Sequence, residues 1–229
     1  MLMIKIDSVS KTFGSGATGL TDISLVVERG EFVFLVGPTG SGKTTLFRLL
    51  IRDMLPTKGL IHVGDFDLGK LPNKKIPHLR KKVGVVFQDL KLLMDRTIFE
   101  NTMLPLEVAG VDNLGAKKRV EELLSQINIE THAHKFPVQL SGGELQRAAI
   151  ARALVLSPDI LLADEPTGNL DPETSKGIMK LLQEINEKGT TVVMATHNVE
   201  IVNTLKKRVV TLEKGKLIRD EKKGKYGAS

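Results

Sequence analysis

The nine residues GPTGSGKTT, Gly37 to Thr45, constrain this chain more than any other stretch. They fit the pattern G-x-x-x-x-G-K-[ST], with the apolar run FVFLV before them and the helix-forming LFRLL after them. Glycines in such a loop let backbone N–H groups close around phosphate oxygens, and the N-terminus of the following helix adds positive partial charge. Gly37, Pro38, Thr39, Gly40, Ser41, Gly42 and Thr45 are therefore expected to line a phosphate cradle. Lys43 is expected to reach the β- and γ-phosphates, and the Thr44 hydroxyl to ligate Mg²⁺. A strand, a tight loop and a helix in this order belong in an α/β protein with a largely parallel sheet.

The rest of the chain fits that class. MIKIDSV and LTDISLVVERGEFVFLVG read as early strands, the second stretch split by a turn at Arg29-Gly30. A helix is predicted from Gly42 through KTTLFRLLIRDM, ending before Pro56. GLIHVGDFDL has the form of a hairpin, and KVGVVFQD that of a further strand. From about 89 to 155 the pattern turns helical, with AKKRVEELLSQIN as its clearest segment. Strands resume at DILLADEP and TTVVMATHN, and RVVTLEKGKLIRDE predicts a hairpin turning at Lys214-Gly215. With no internal repeat or low-complexity linker, the expectation is one domain, its core at about 1–88 and 156–229 and its helical part at about 89–155.

Two further stretches carry chemistry. ILLADEP sets two carboxylates at the C-terminal end of an apolar strand, the end at which open parallel sheets bind ligands. Asp164 there can hold Mg²⁺, directly or through water. Strand side chains alternate in direction, so Glu165 is free to orient a water for attack on the γ-phosphate. QLSGGELQRAAIARAL starts a helix at Ser141, and Glu144 three residues later completes the form of a capping box. Gly142 and Gly143 nevertheless occupy the first turn, where each costs roughly 1 kcal/mol relative to alanine. A helix N-terminus bare of side chains is a seat for a second phosphate contact, which accounts for them.

Composition narrows the setting. The chain has no cysteine, which excludes a disulfide framework. Its apolar runs, such as FVFLVG, are far shorter than the roughly 20 residues that span a bilayer. The first residues lack the basic, apolar and small-residue regions of a signal peptide, so a cytoplasmic protein is expected. The formal net charge is +6, with basic clusters at 74–82 and 214–225. A solvated surface explains these most simply, and attraction to an anionic membrane face is the sharper alternative. Nucleic acid ranks third, since aromatic residues for base stacking make up only 4%.

Together these stretches resemble the nucleotide-binding subunits of ABC ATPases over nearly the whole chain. GPTGSGKTT is similar to their Walker A loop, VVFQD to the Q-loop, LSGGELQ to the signature, ILLADEP to Walker B, GNLD to the D-loop and ATHN to the switch histidine. The resemblance implies an ABC-type α/β fold: a P-loop NTPase (RecA-like) core, an antiparallel β subdomain and a helical insert. It implies ATP and Mg²⁺ as cofactors, with Gln88 at the metal or the attacking water and His197 at the γ-phosphate. It also implies Phe13 stacked on adenine, Asp171 at a subunit interface, and Ser141, Gly142, Gly143 and Glu144 closing over the partner subunit's ATP. Two copies would then form an ATP-dependent homodimer.

Within the family, FQDLKLLMDRTIFEN and the segment 195–227 resemble the cell-division branch. That branch implies an FtsX-like integral membrane partner, a peripheral position at the cytoplasmic face of the cell membrane, and control of peptidoglycan hydrolysis. Met94 stands where relatives commonly carry proline. Two other ATPase readings fit the same motifs: a lipoprotein-releasing or macrolide-exporting system, and a soluble protein acting on nucleic acid. A non-hydrolysing adaptor is disfavoured by the presence of Lys43, Asp164, Glu165 and His197.

Overall fold

The computed structural model describes residues 2–226. Its first strands, β1 (Leu2–Thr12) and β2 (Thr18–Glu28), alternate buried with exposed residues, as strands wetted on one face must. β3 (Phe32–Val36) differs: all of its residues are buried, and it feeds through the glycine-rich loop into α1 (Lys43–Leu50). β4 (Lys58–Val63) and β5 (Phe66–Asp67) then join the first pair in a four-stranded antiparallel sheet of order β2-β1-β4-β5.

After α2 (Ile76–Lys82) and β6 (Val83–Val86) come three helices, α3 (Ile98–Val108), α4 (Asn113–Gln126) and α5 (Gly142–Leu154). The chain returns as β7 (Ile160–Asp164), α6 (Pro172–Glu187), β8 (Thr191–Thr196) and α7 (Val199–Leu205), then closes with β9 (Arg208–Glu213) and β10 (Lys216–Glu221). These strands and β3 form a six-stranded sheet of order β10-β9-β3-β8-β7-β6, parallel except for β10.

The central parallel strands are mostly apolar and buried because both of their faces are covered. Phe32, Phe34, Leu161, Ala163, Val192 and Met194 face a core shared with the helices that follow β6. Val33, Leu35, Ile160, Leu162, Val193 and Ala195 face a second core, closed by α1 and the antiparallel sheet. This places the C-terminal ends of β3, β6, β7 and β8 side by side, and the loops that leave them carry the residues singled out above.

The first helix is shorter than its sequence pattern predicts. It stops at Leu50 because Arg52 adopts the left-handed conformation (φ 56°). The Arg52 N–H donates to the Leu49 carbonyl and the Asp53 N–H to that of Arg48, the two bonds of a Schellman motif built without glycine. The last hairpin turns as expected, with positive φ at both Lys214 (48°) and Gly215 (77°), as a type I′ turn requires. The basic segment 74–82 forms α2 with a short 3-10 turn before it. Within it, Arg80 donates to the Ile51 carbonyl, Lys81 to that of Ala109, and Lys82 pairs with Asp159.

Candidate nucleotide-binding and catalytic site

The loop after β3 is shaped by close approach. Gly37, Gly40 and Gly42 all have positive φ, and a Cβ on Gly37 would lie 2.1 Å from the Leu212 carbonyl oxygen. Helix α1 opens at Gly42 with no side-chain cap and no acidic residue in its first turn, so its leading N–H groups are left for an anion. Lys43 turns back into the loop, its Nζ 2.7 Å from the Gly37 carbonyl oxygen and 3.1 Å from that of Pro38. Burial pulls its ammonium below the ordinary lysine value, opposed by the nearby charges of Glu165 and Asp164. The Ser41 Oγ is buried without a hydrogen-bond partner among the described residues. A phosphate in the loop would supply an acceptor for that hydroxyl and a counter-charge for Lys43.

Thr44 Oγ1 donates to Asp164 Oδ2 at 2.9 Å, across 120 residues of sequence. Neighbouring ligands of an octahedral Mg²⁺ with bonds of 2.0–2.1 Å are themselves roughly 2.9 Å apart, so this pair fits two adjacent coordination positions. Among the described residues no group of three or more His, Cys, Asp or Glu gathers anywhere. One carboxylate, one hydroxyl, phosphate oxygens and water are the donor set that Mg²⁺ takes in nucleotide sites.

At Glu165 the strand ends in a left-handed residue (φ 49°). Its N–H donates to the Ala195 carbonyl and its own carbonyl accepts from Gly168, so the turn is held on both sides. The turn brings Glu165 Oε1 to 2.7 Å from His197 Nδ1, with the Glu165 side chain 9% exposed and that of His197 64%. A largely buried carboxylate beside an exposed imidazole can accept a proton from water while its own position is fixed.

Gln88 follows the end of β6 and lines, with Thr44, Asp164 and Asn169, an open cleft of about 1110 Å³. The cleft continues past Leu104 and Pro105 to Arg152 and Leu156. Phe13, just beyond β1, is half-buried, and its ring lies against Gly19, where a Cβ would come within 2.7 Å of it and 3.2 Å of Thr45 Cγ2. Its ring therefore stands beside the α1 end of the phosphate loop, with Lys11 Nζ 5.8 Å from its centroid.

At the start of α5 the Ser141 N–H donates to Glu144 Oε2 (2.7 Å), and Ser141 Oγ accepts from the Glu144 N–H (3.5 Å). Hydrogen bonding to its carboxyl, from the Ser141 backbone first and the Ser141 side chain second, holds Glu144 below the usual carboxylate range. His132 Nε2 braces the same carboxyl at 3.0 Å. Gly142 is exposed, but Gly143 also has a local reason: its Cβ would lie 2.4 Å from Thr174 Cγ2. Asp171 caps α6, its carboxylate accepting from the Thr174 hydroxyl and N–H, and these bonds lower its pKa. Sequence reasoning missed Asn169, and also Asn101 on α3, whose amide bonds Leu93, Arg96 and Thr97 of the loop after Gln88. Asn169 lies within GNLD and Asn101 ends FQDLKLLMDRTIFEN, but neither stretch assigns them a role, and the Asn101 partners lie four to eight residues upstream, in the turn that leads into α3.

Asp164 is buried, and burial pushes its pKa up, aided by Glu165 and opposed by the Thr44 hydrogen bond and Lys43. A carboxyl raised on folding binds protons more readily in the native state, so stability falls as pH climbs from the ordinary carboxylate range through the raised value. The lowered carboxyls Asp67, Glu100, Glu144 and Asp171 act in the opposite sense, below that range. Asp164→Asn is expected to flatten this part of the slope and, without nucleotide, to raise the pH 8 melting temperature by about 2–4 °C, as ~1 kcal/mol does in a domain this size. Thermal melts of both proteins from pH 5 to pH 8 check it; an unchanged slope would refute the assignment.

Comparison with known proteins agrees with this geometry. Residues 20–168 match the family model described as "ABC transporter". The chain is 52% identical over 226 residues to the cell division ATP-binding protein FtsE of Bacillus subtilis, covering 99% of both. It is 49% identical over 227 residues to the protein of that name from Mycobacterium tuberculosis, again covering 99% of both. The Escherichia coli K12 protein of that name is 42% identical over 215 residues, or 94% of this chain and 97% of that one. Among solved structures, the ATP-binding cassette MJ0796, a dimer in a post-hydrolysis state bound to ADP and Pi, superposes with a TM-score of 0.88. That likeness covers 98% of this chain and 100% of the other at 36% identity. With its phosphate loop, paired carboxylates and serine-glycine helix start all in place on this fold, the chain belongs to the ABC transporter family, as one of its ATPase cassettes.

Proposed function

We propose that this chain is the ATP-hydrolysing subunit of an FtsEX-like complex acting in cell division. Two copies dimerise on ATP, and their closure signals through an FtsX-like integral membrane protein to control peptidoglycan hydrolysis. The observation that carries this reading is full-length likeness, at 42–52% identity, to proteins all named for cell division in Bacillus subtilis, Mycobacterium tuberculosis and Escherichia coli. No helix among the described residues is long and apolar enough to cross a membrane, and in this reading the partner supplies the span. Attachment would then be peripheral, at the cytoplasmic face.

The roles follow from chemistry. Lys43 and the amides of Gly37 to Thr45 hold the β- and γ-phosphates, with Phe13 offering a face for the base. Thr44 and Asp164 hold Mg²⁺, with Gln88 beside it, and the metal would neutralise charge on the transferring phosphoryl group. Glu165 takes the proton of the attacking water, and His197 holds that carboxylate in place and reaches the γ-phosphate. Ser141, Gly142 and Gly143 close the partner subunit's site, while Glu144 fixes Ser141 and Asp171 lies at the joint.

Affinity capture from detergent-solubilised membranes, with the chain held in its ATP-bound form, tests the biological half. Recovery of an FtsX-like protein is expected. Recovery of a lipoprotein-release or macrolide-exporter permease would replace this reading with that of an extruder. Salt-sensitive binding to DNA or RNA at physiological ionic strength would point to the nucleic-acid alternative.

A further inference from the structure

Arg152 lies in the last turn of α5, yet its guanidinium is spent on a loop more than sixty residues away in sequence. Nη1 donates to the Lys91 carbonyl and Nη2 to the Leu90 carbonyl, both at 2.5 Å. Leu90 (φ 57°) and Lys91 (φ 52°) are the one pair of consecutive non-glycine residues with positive φ among the described residues. Side chains with a Cβ rarely adopt that conformation, and strained backbone persists only where its surroundings hold it. Here one planar fork holds both carbonyls at once, which an ammonium cannot reproduce. No ion pair among the described residues includes Arg152. Burial pulls its pKa below the ordinary arginine value. A half-buried cation without a carboxylate partner is a costly choice unless its two hydrogen bonds serve a purpose.

The two ends of α5 suggest the purpose. Gln88, which lines the same cleft as Thr44 and Asp164, is two residues from the clamped pair. Ser141 caps the same helix eleven residues before Arg152, a rigid span of roughly 16 Å at 1.5 Å per residue. We propose that Arg152 is a positioning residue that locks the loop of Gln88 to α5, so that displacement of Gln88 and of the Ser141–Gly143 helix start is one event. Asn101 supports the lock from α3 by gripping Leu93, Arg96 and Thr97, the following part of the same loop. Without the clamp, Leu90 and Lys91 relax toward ordinary backbone angles, and the loop moves without the helix.

The inference rests on the ATPase reading above, and the test separates the two. Arg152→Met keeps an apolar stem of similar length and removes every donor; Arg152→Lys keeps the charge but not the fork. Both are expected to bind ATP as monomers with an affinity within about twofold of the parent. Arg152→Met should lower kcat at least about tenfold, the scale on which small misplacements act, while KM stays near the parent value. Arg152→Lys should recover only part of that loss. In a Gln88→Ala background, Arg152→Met should cost less than about twofold more, because both changes break one path. Additive losses in that cycle would overturn the proposal, as would a parent-like kcat or failure of both Arg152 variants to fold. If the parent does not hydrolyse ATP, or Gln88→Ala leaves kcat unchanged, it is the underlying reading that fails.

Discussion

Glu165→Gln is expected to slow ATP hydrolysis by about 10²–10⁴, the contribution of a well-placed general base, and to accumulate a dimer that holds two ATP molecules. The substitution is nearly isosteric. Its amide oxygen can still accept from His197 Nδ1, so the 2.7 Å contact and the turn held by Ala195 and Gly168 have no reason to change. What is lost is the anionic oxygen that takes the proton of water. ATP binding depends instead on the loop of Gly37 to Thr45, and should persist. If hydrolysis opens the dimer, blocking it leaves closure without release. Size-exclusion chromatography with ATP should then show twice the monomer mass, while ADP should not. Hydrolysis at the parent rate would remove Glu165 from its role and, with it, the functional meaning of the left-handed residue at the end of β7.

Much of this site was legible because its parts are local. A phosphate loop needs only glycines between an apolar run and a helix, and a capping box needs only Ser141 and Glu144 at the right spacing. What sequence did not disclose depends on distant neighbours. Arg52 looks helical in LLIRDM, but its side chain reaches the Leu68 carbonyl and its backbone closes a Schellman motif. Arg152 looks like the basic face of an amphipathic helix, and nothing near it foretells a loop 61 residues away. Asn101 is a local exception: it resembles an ordinary polar residue on a helix, yet it is buried and makes four hydrogen bonds to residues four to eight positions upstream. From sequence, Gly143 serves a phosphate seat alone. Its contact with Thr174 adds a packing reason that only the approach of α5 to α6 creates.

That contact makes the two signature glycines separable by experiment. Gly143→Ala is expected to disturb the fold locally, because its methyl meets Thr174 Cγ2 at 2.4 Å. Thr174 is β-branched and its hydroxyl is engaged with Asp171, so turning aside would break that hydroxyl bond and leave only the backbone N–H on the Asp171 cap. Gly142→Asp is the cleaner probe. Its Cβ would meet only the flexible end of Leu170, at 3.2 Å, and the position is exposed. An acidic residue in the first turn of a helix even stabilises it, by about 0.3–1 kcal/mol, so the melting temperature should not fall. Yet the same carboxylate stands where the helix N-terminus would receive the γ-phosphate of the other subunit. Like charges there prevent closure, so the variant should bind ATP as a monomer with parent affinity and fail to dimerise even with Glu165→Gln. Hydrolysis should fall at least about 10²-fold, the loss seen when a group that stabilises transition-state charge is removed. If Gly142→Asp is active, or dimerises on ATP as the parent does, α5 does not complete a partner's site and its glycines serve packing alone.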